Sequence, residues 1–295
     1  MLILAAMAIM GLVDNFVRVI AETAGLWQFQ VIRSAMAITL LVGVARWRGW
    51  RLRPRRWAPV IARSAVLSVG LVLYFAALAV IPVSEAVAGL FTAPIWVMLL
   101  SVVVYRQRIG ALRIGAAVLG FAGVLLVLRP DGGDASGMTL LPLISGVLYA
   151  LAALATREWC GGETAQTLLM GFFTAMGLWG LVGLGVLSLI PVEDPPGPDG
   201  FALRLWGQMA PAAWFWTGAQ AVGSLIAVGM IIRAYQIAEA SYVAVFEYAL
   251  LIFAALWGFL LLGQHIDGWA LAGIAAILGS GAVIALRAPR PDPVS

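Results

Sequence analysis

Apolar runs long enough to cross a bilayer follow one another along nearly the whole of this 295-residue chain. The hydrocarbon core of a membrane takes roughly 20 helical residues to cross. Ten such runs are read, at about 2–21, 27–45, 58–81, 83–105, 111–128, 138–157, 165–190, 210–232, 240–262 and 268–287. The predicted fold class is therefore an all-α integral membrane protein of ten transmembrane helices, forming one membrane domain over residues 1–295. Composition agrees. With 63% hydrophobic and 11% charged residues, too few polar side chains remain to cover a water-facing surface. No basic residue precedes the first run and Asp14 interrupts it, so it reads as a span rather than a cleaved secretory signal.

All 18 basic residues are arginine. Without lysine there is no P-loop lysine for a nucleotide, no Schiff base and no lysine general base. One histidine (His265) and one cysteine (Cys160) leave no zinc site of the His/Cys kind and no intrachain disulfide, and no metal or cofactor is expected. The arginines set the orientation. Six stand in "RWRGWRLRPRR" (Arg46 to Arg56), and Arg106, Arg108, Arg113, Arg157, Arg233, Arg287 and Arg290 fall on the same side. Only Arg129 and Arg204 lie in loops on the other. The positive-inside rule then puts both termini in the cytoplasm, in a cell (plasma or inner) membrane. The Arg-rich loop reads as a topology anchor on anionic headgroups, not as a nucleic-acid site. The opposite loop "PVEDPPGPDG" (191–200) is acidic and Pro-rich, as expected of a solvated connection.

The two halves resemble each other. "VIPVSEAVAGLFTAPIW" (80–96) aligns with "IAEASYVAVFEYALLIF" (237–253), setting Ser84 opposite Ser241, and "GAAVLGFAGVLLVL" (115–128) aligns with "GIAAILGSGAVIAL" (273–286). Repeat 1 covers about 2–128 and repeat 2 about 138–287. Each holds five spans, an odd number, so the second enters the membrane inverted. Inverted repeats that rock about a midplane site are a recurrent plan of secondary transporters. The glycines Gly115, Gly120 and Gly123, with Gly273, Gly279 and Gly281, mark close helix packing, within a half or between protomers.

At this point a family resemblance can be stated. Tyr74, Ala77, Leu78, Pro82, Ser84, Ala86 and Pro94, followed by a glycine-rich hairpin, resemble the EamA repeat of the drug/metabolite transporter (DMT) superfamily. "FQVIRSAM" (29–36) places that family's span-2 arginine at Arg33. Arg106 and Gln264 depart from the pattern, standing where an acidic residue is common. The resemblance implies ten helices in two inverted five-helix repeats around a central cavity lined by spans 1, 3, 4, 6, 8 and 9. Within the superfamily the chain resembles the YddG-type amino-acid exporters.

Several polar residues interrupt the spans. Met7, Gly11, Asp14 and Arg18 fall on one stripe of a helix, with Asn15 beside it. Asp14 and Arg18 are read as an i, i+4 pair that either neutralises itself or opens to a substrate. Glu85, Gly89, Thr92 and Trp96 share a stripe on span 4, where Glu85 reads as a helix-start carboxylate. Ser145, Tyr149, Ala152 and Thr156 share one on span 6, and Thr217, Gln220 and Ser224 one on span 8. Span 3 contributes Gly70 and Tyr74; span 9 brings Glu247 and Tyr248 to mid-depth. Arg33 is expected to be structural, bonded to loop carbonyls. The candidate cavity residues are Asp14, Asn15, Arg18, Tyr74, Trp96, Tyr149, Gln220, Glu247 and Tyr248, with Asp14 and Glu247 as proton sites.

These readings point to a non-enzymatic secondary transporter of small organic solutes. An aromatic-walled cavity with a few convergent charges suits neutral or aromatic amino acids, exported, or equally organic cations and drugs. The expected partners are that solute and the bilayer, with the protein a monomer or homodimer. A membrane-embedded lipid-modifying enzyme is the alternative from another class.

Overall fold

The computed structural model describes residues 1–78, 81–130, 140–189 and 197–287. Val80 of the aligned stretch, the expected start of span 6 at 138, the acidic stretch 191–196 and Arg290 lie outside those residues. The described elements are helical, and ten are long and apolar enough to cross a membrane: Leu2–Ala21, Leu26–Arg48, Trp57–Ala77, Val83–Val103, Ala111–Leu128, Leu140–Glu158, Ala165–Leu189, Pro211–Ile237, Ala240–Leu262 and Gly268–Leu286. They are called spans 1 to 10. The chain is thus a multi-pass membrane protein.

Each boundary has a local cause. Span 2 runs on through Arg46 and Arg48, whose charges suit the negative end of a helix dipole. Gly49 then stops it in the left-handed conformation, φ 68°. Gly263 ends span 9 in the same way, φ 63°. Span 8 ends five residues later than expected, because the exposed Arg233 sits on the helix near its end rather than in a loop. A long cation can reach the interface from that last part of a span.

Three spans are broken. Span 1 is helical over Leu2–Asp14 and again over Val17–Ala21. Span 4 divides into Val83–Leu90 and Ala93–Val103, and span 9 into Ala240–Glu247 and Ala249–Leu262. At each break the backbone tightens to i→i−3 bonds: Phe16 N–H to Val13 O, Thr92 N–H to Gly89 O and Tyr248 N–H to Val245 O. Pro94 stands at the start of the second arm of span 4, where its missing N–H costs nothing. The register that sets Ser84 opposite Ser241 also sets Val83 opposite Ala240 and Leu90 opposite Glu247, so the first arms of spans 4 and 9 begin and end together.

Packing follows a pattern of exchanged partners. Span 3 packs on span 6 as span 8 packs on span 1; span 4 packs on span 6 as span 9 packs on span 1; span 3 packs on span 7 as span 8 packs on span 2. Spans 2 and 7 pack on each other, as do spans 5 and 10. The last pair explains the glycines differently from expectation. A Cβ on Gly123 would stand 2.7 Å from the Gly273 carbonyl oxygen, and one on Gly120 would meet the Tyr248 ring. The close approach is therefore between spans 5 and 10 of one chain. Gly115 meets nothing within 4 Å, and Gly279 and Gly281 meet only ordinary contacts.

One core cluster closes the arginine-rich end. Ile3 and Met7 of span 1, Val97 of span 4, Ala150, Ala153 and Leu154 of span 6, Ala234 and Tyr235 of span 8, and Ala240, Val243 and Ala244 of span 9 are all buried together. Just beyond, both Glu163 carboxylate oxygens accept the backbone N–H groups of Arg55 and Arg56, at 3.0 and 2.7 Å. At the far end, the connection before span 8 is bolted to the start of span 2. The Gln28 side chain bonds the Gly207 backbone both ways, Trp27 Nε1 donates to Ala202 O, and Leu26 N–H donates to Phe201 O.

Candidate functional site

Two tiers of polar groups result, one toward each end of the bundle. In the upper tier Asp14 closes the first arm of span 1. Its carboxylate accepts a 2.8 Å hydrogen bond from Gln220 Nε2 of span 8, which is only 2% exposed. Asp14 itself is exposed, although it stands within a span among helices 1, 2, 3 and 8. Arg33 of span 2 and Tyr74 of span 3 are near enough for its charge to act on them. The helix packing therefore does not seal this carboxylate off. At the break beside it, the Phe16 ring lies flat on Trp216, centroids 3.4 Å apart.

The lower tier is centred on Glu247, 8% exposed, at the end of the first arm of span 9. The Tyr149 hydroxyl donates to Glu247 Oε1 at 3.0 Å. The Tyr235 hydroxyl acts on the same carboxylate but holds no hydrogen-bond geometry to any partner. Arg63 of span 3, 4% exposed, donates through Nε to Thr156 Oγ1 of span 6 at 3.0 Å, while its Nη1 is buried without a partner. Its charge acts on Tyr149. Each tier thus joins one carboxylate and one guanidinium that do not form an ion pair. The plug of apolar residues lies at the depth of the lower tier and contains Tyr235 itself.

Several candidates take other roles. Asp14 and Arg18 are not paired: the break at Asn15 and Phe16 removes the helical register that would stack them, and the exposed Arg18 forms no ion pair among the described residues. Asn15 is a strut, its Nδ2 donating to Gly11 O at 2.7 Å and to Ala254 O of span 9 at 3.0 Å. Trp96 pins the break of span 4. Its Nε1 donates to Thr92 Oγ1 at 3.1 Å, and that hydroxyl donates to Gly89 O at 2.6 Å. Tyr248 is fully buried against Phe91 and Gly120, in the packing of spans 5 and 10. Glu85 stands in the first turn of its helix without a capping bond. Arg33 bonds no loop carbonyl among the described residues: its Nη2 donates to Gln30 Oε1 at 2.6 Å and its guanidinium lies over the Phe29 ring. Sequence reasoning also passed over Arg63, Tyr235, Phe16 and Trp216. Arg63 carried a signal, being a charge six residues inside an apolar run; the three aromatics carried none beyond their type.

Broken spans, paired counterparts and charges kept inside the bundle are features that multi-pass membrane transporters use. Residues 1–129 match the EamA-like transporter family. The riboflavin transporter of Rhizobium johnstonii is 28% identical over 76% of this chain and 68% of its own length. The pseudopaline exporter of Pseudomonas aeruginosa is 25% identical over 82% of this chain and 79% of its own. A solved crystal structure covering 97% of this chain and 98% of its own superposes with a TM-score of 0.81 at 17% identity, which speaks for the fold. Together these matches support transport as the class of activity.

Proposed function

We propose that this chain is a secondary transporter that moves small organic solutes by alternating access between its two five-span halves. One observation carries the reading: an open carboxylate, Asp14, lies within the membrane on one side of a buried plug to which both halves contribute. The exchanged helix partners and the matched first arms of spans 4 and 9 support rocking of one half against the other. In this reading a solute reaches Asp14 from the far end, and the buried cluster closes the way below it. Rocking would separate Ile3 and Met7 from Tyr235 and Ala244 and expose Glu247 to the arginine-rich side, taken as the cytoplasm.

The finer reading is export of neutral or aromatic amino acids. Asp14 suits an ammonium group, and Tyr74, Phe16 and Trp216 suit an apolar body. The similarity to a riboflavin transporter favours a second reading, a flat heterocycle held by the same aromatics. Purified protein in liposomes, loaded in turn with phenylalanine, tryptophan, riboflavin and an organic cation, separates them. The amino acids are expected to exchange at least about tenfold faster than in empty vesicles, with Asp14→Asn abolishing the gain and Glu247→Gln removing any dependence on a pH gradient. Equal leak of every solute with and without the protein would sink the transporter reading.

A further inference from the structure

We propose that Arg33, rather than Arg18, is the anion-binding residue of the upper tier, so that the transported solute is a dipolar ion spanning Asp14 and Arg33. This rests on the transporter reading above and specifies its substrate class. The two charges occupy one neighbourhood, yet they are not within the 4.0 Å of an ion pair. Opposite charges inside a membrane close on each other unless something holds them apart. Neutral tethers do so here. Gln220 Nε2 holds the Asp14 carboxylate at 2.8 Å, while Gln30 Oε1 holds Arg33 Nη2 at 2.6 Å and the Phe29 ring lies under the guanidinium, 5.1 Å away.

The tethers and their neighbours also carry unmet hydrogen bonds. Gln30 Nε2 and Arg33 Nε on span 2, with Thr217 Oγ1 and Gln220 Oε1 on span 8, are buried without partners. Gln30, Thr217 and Gln220 are 0%, 0% and 2% exposed, and spans 2 and 8 pack against each other. Native proteins leave few buried polar atoms unpaired, and four beside two separated charges mark a place kept for a polar ligand. A carboxylate can accept from Arg33 Nε and Gln30 Nε2. An ammonium can donate to Asp14 and Gln220 Oε1. Arg18 lies beyond the break, exposed, with no such company.

The test uses three probes that differ in their charged groups, phenylalanine, phenylalaninamide without the carboxylate and 3-phenylpropionate without the amine, with riboflavin as a fourth solute that carries neither group. Thermal stabilisation in detergent and counterflow in liposomes are both read. In the wild type, phenylalanine is expected to act at concentrations at least about tenfold lower than either analogue. Arg33→Gln should erase its advantage over phenylalaninamide and leave phenylalaninamide within about twofold, as expected when one charged hydrogen-bond partner is lost. Arg33→Lys, which keeps the charge and loses the fork, should retain part of the advantage; Arg18→Gln should retain all of it. An advantage that survives in folded Arg33→Gln, or disappears in Arg18→Gln, overturns the inference. So does a wild type that moves phenylalaninamide or riboflavin but no carboxylate-bearing probe, and the transporter reading then stands. A protein that moves nothing overturns both.

Discussion

Asp14 and Asn15 are neighbours in sequence and part company in space, because the helix breaks between their roles. Asn15 ties span 1 to span 9 through Ala254 O, whereas Asp14 is held by Gln220 of span 8. Asn15→Ala should therefore lower thermal stability in detergent by about 1 kcal/mol, the scale of an interhelical hydrogen bond in a membrane, without altering solute selectivity. Gln220→Leu should do the reverse. It removes the one side-chain donor to Asp14 among the described residues and should weaken solute binding about tenfold or more, with melting little changed, since Gln220 also loses a buried unpaired oxygen. Identical selectivity changes in both variants would mean that the two residues act together. At this scale the sequence was half legible. Asp14 and Glu247 could be singled out by their cost in an apolar run, and each holds a side-chain hydrogen bond between spans. Which arginine accompanies Asp14 could not, because Arg33 approaches from another span and helix phases between spans are not written in either span alone. The expected Asp14–Arg18 pair failed on a single assumption, that span 1 is one continuous helix.

The elements were legible where the membrane dictates them. A thickness that demands about 20 residues makes nine of the ten span starts readable to within two residues among those described, and leaves the ends of spans 3 and 8 as the larger discrepancies. The breaks were harder. Pro94 is a signal for the one in span 4, but span 9 breaks at Glu247 and Tyr248 without proline or glycine, and only its register with span 4 would have exposed it. Glycines were readable as packing residues but not as to what they pack on. That distinction is testable within one helix. Gly123→Ala places a methyl 2.7 Å from the Gly273 carbonyl oxygen, backbone that cannot swing aside, and should cost about 1–3 kcal/mol through overpacking. Gly115→Ala, eight residues earlier on the same span, meets nothing within 4 Å and should be neutral or slightly stabilising, as alanine is the better helix former. Melting curves of the two variants in the same detergent decide it; equal losses would mean that spans 5 and 10 do not meet as described.

At the scale of the whole molecule, the proposed rocking of one half against the other requires the arginine-rich end to open, and the chain carries its own reporter of that event. Cys160 is the single cysteine and is fully buried in the turn between spans 6 and 7, beside Glu163 and the Arg55–Arg56 backbone it grips. Burial pushes its thiol above the ordinary range, with Arg63 opposing weakly, so little thiolate is present near neutral pH. In the closed state, maleimide labelling should be at least about tenfold slower than for an exposed thiol, and its rate should keep climbing with pH beyond the ordinary thiol midpoint near 8.5. Opening removes the burial, so the thiol should then titrate lower and label faster at neutral pH. Leu154, 0% exposed in the plug, supplies the perturbation. Leu154→Ala costs the closed end about 2–5 kcal/mol of packing that an opened end has already given up, and so shifts the balance toward opening. Mass spectrometry of labelled protein, on a variant whose melting shows it folded, should find labelling at pH 7 faster by about tenfold or more, a shift of roughly 1.4 kcal/mol in that balance being enough. Equal labelling of wild type and Leu154→Ala would place the moving end elsewhere. The bolts at Gln28, Trp27 and Leu26 would then be the contacts that part, and the upper tier, rather than the lower, would be the side that closes.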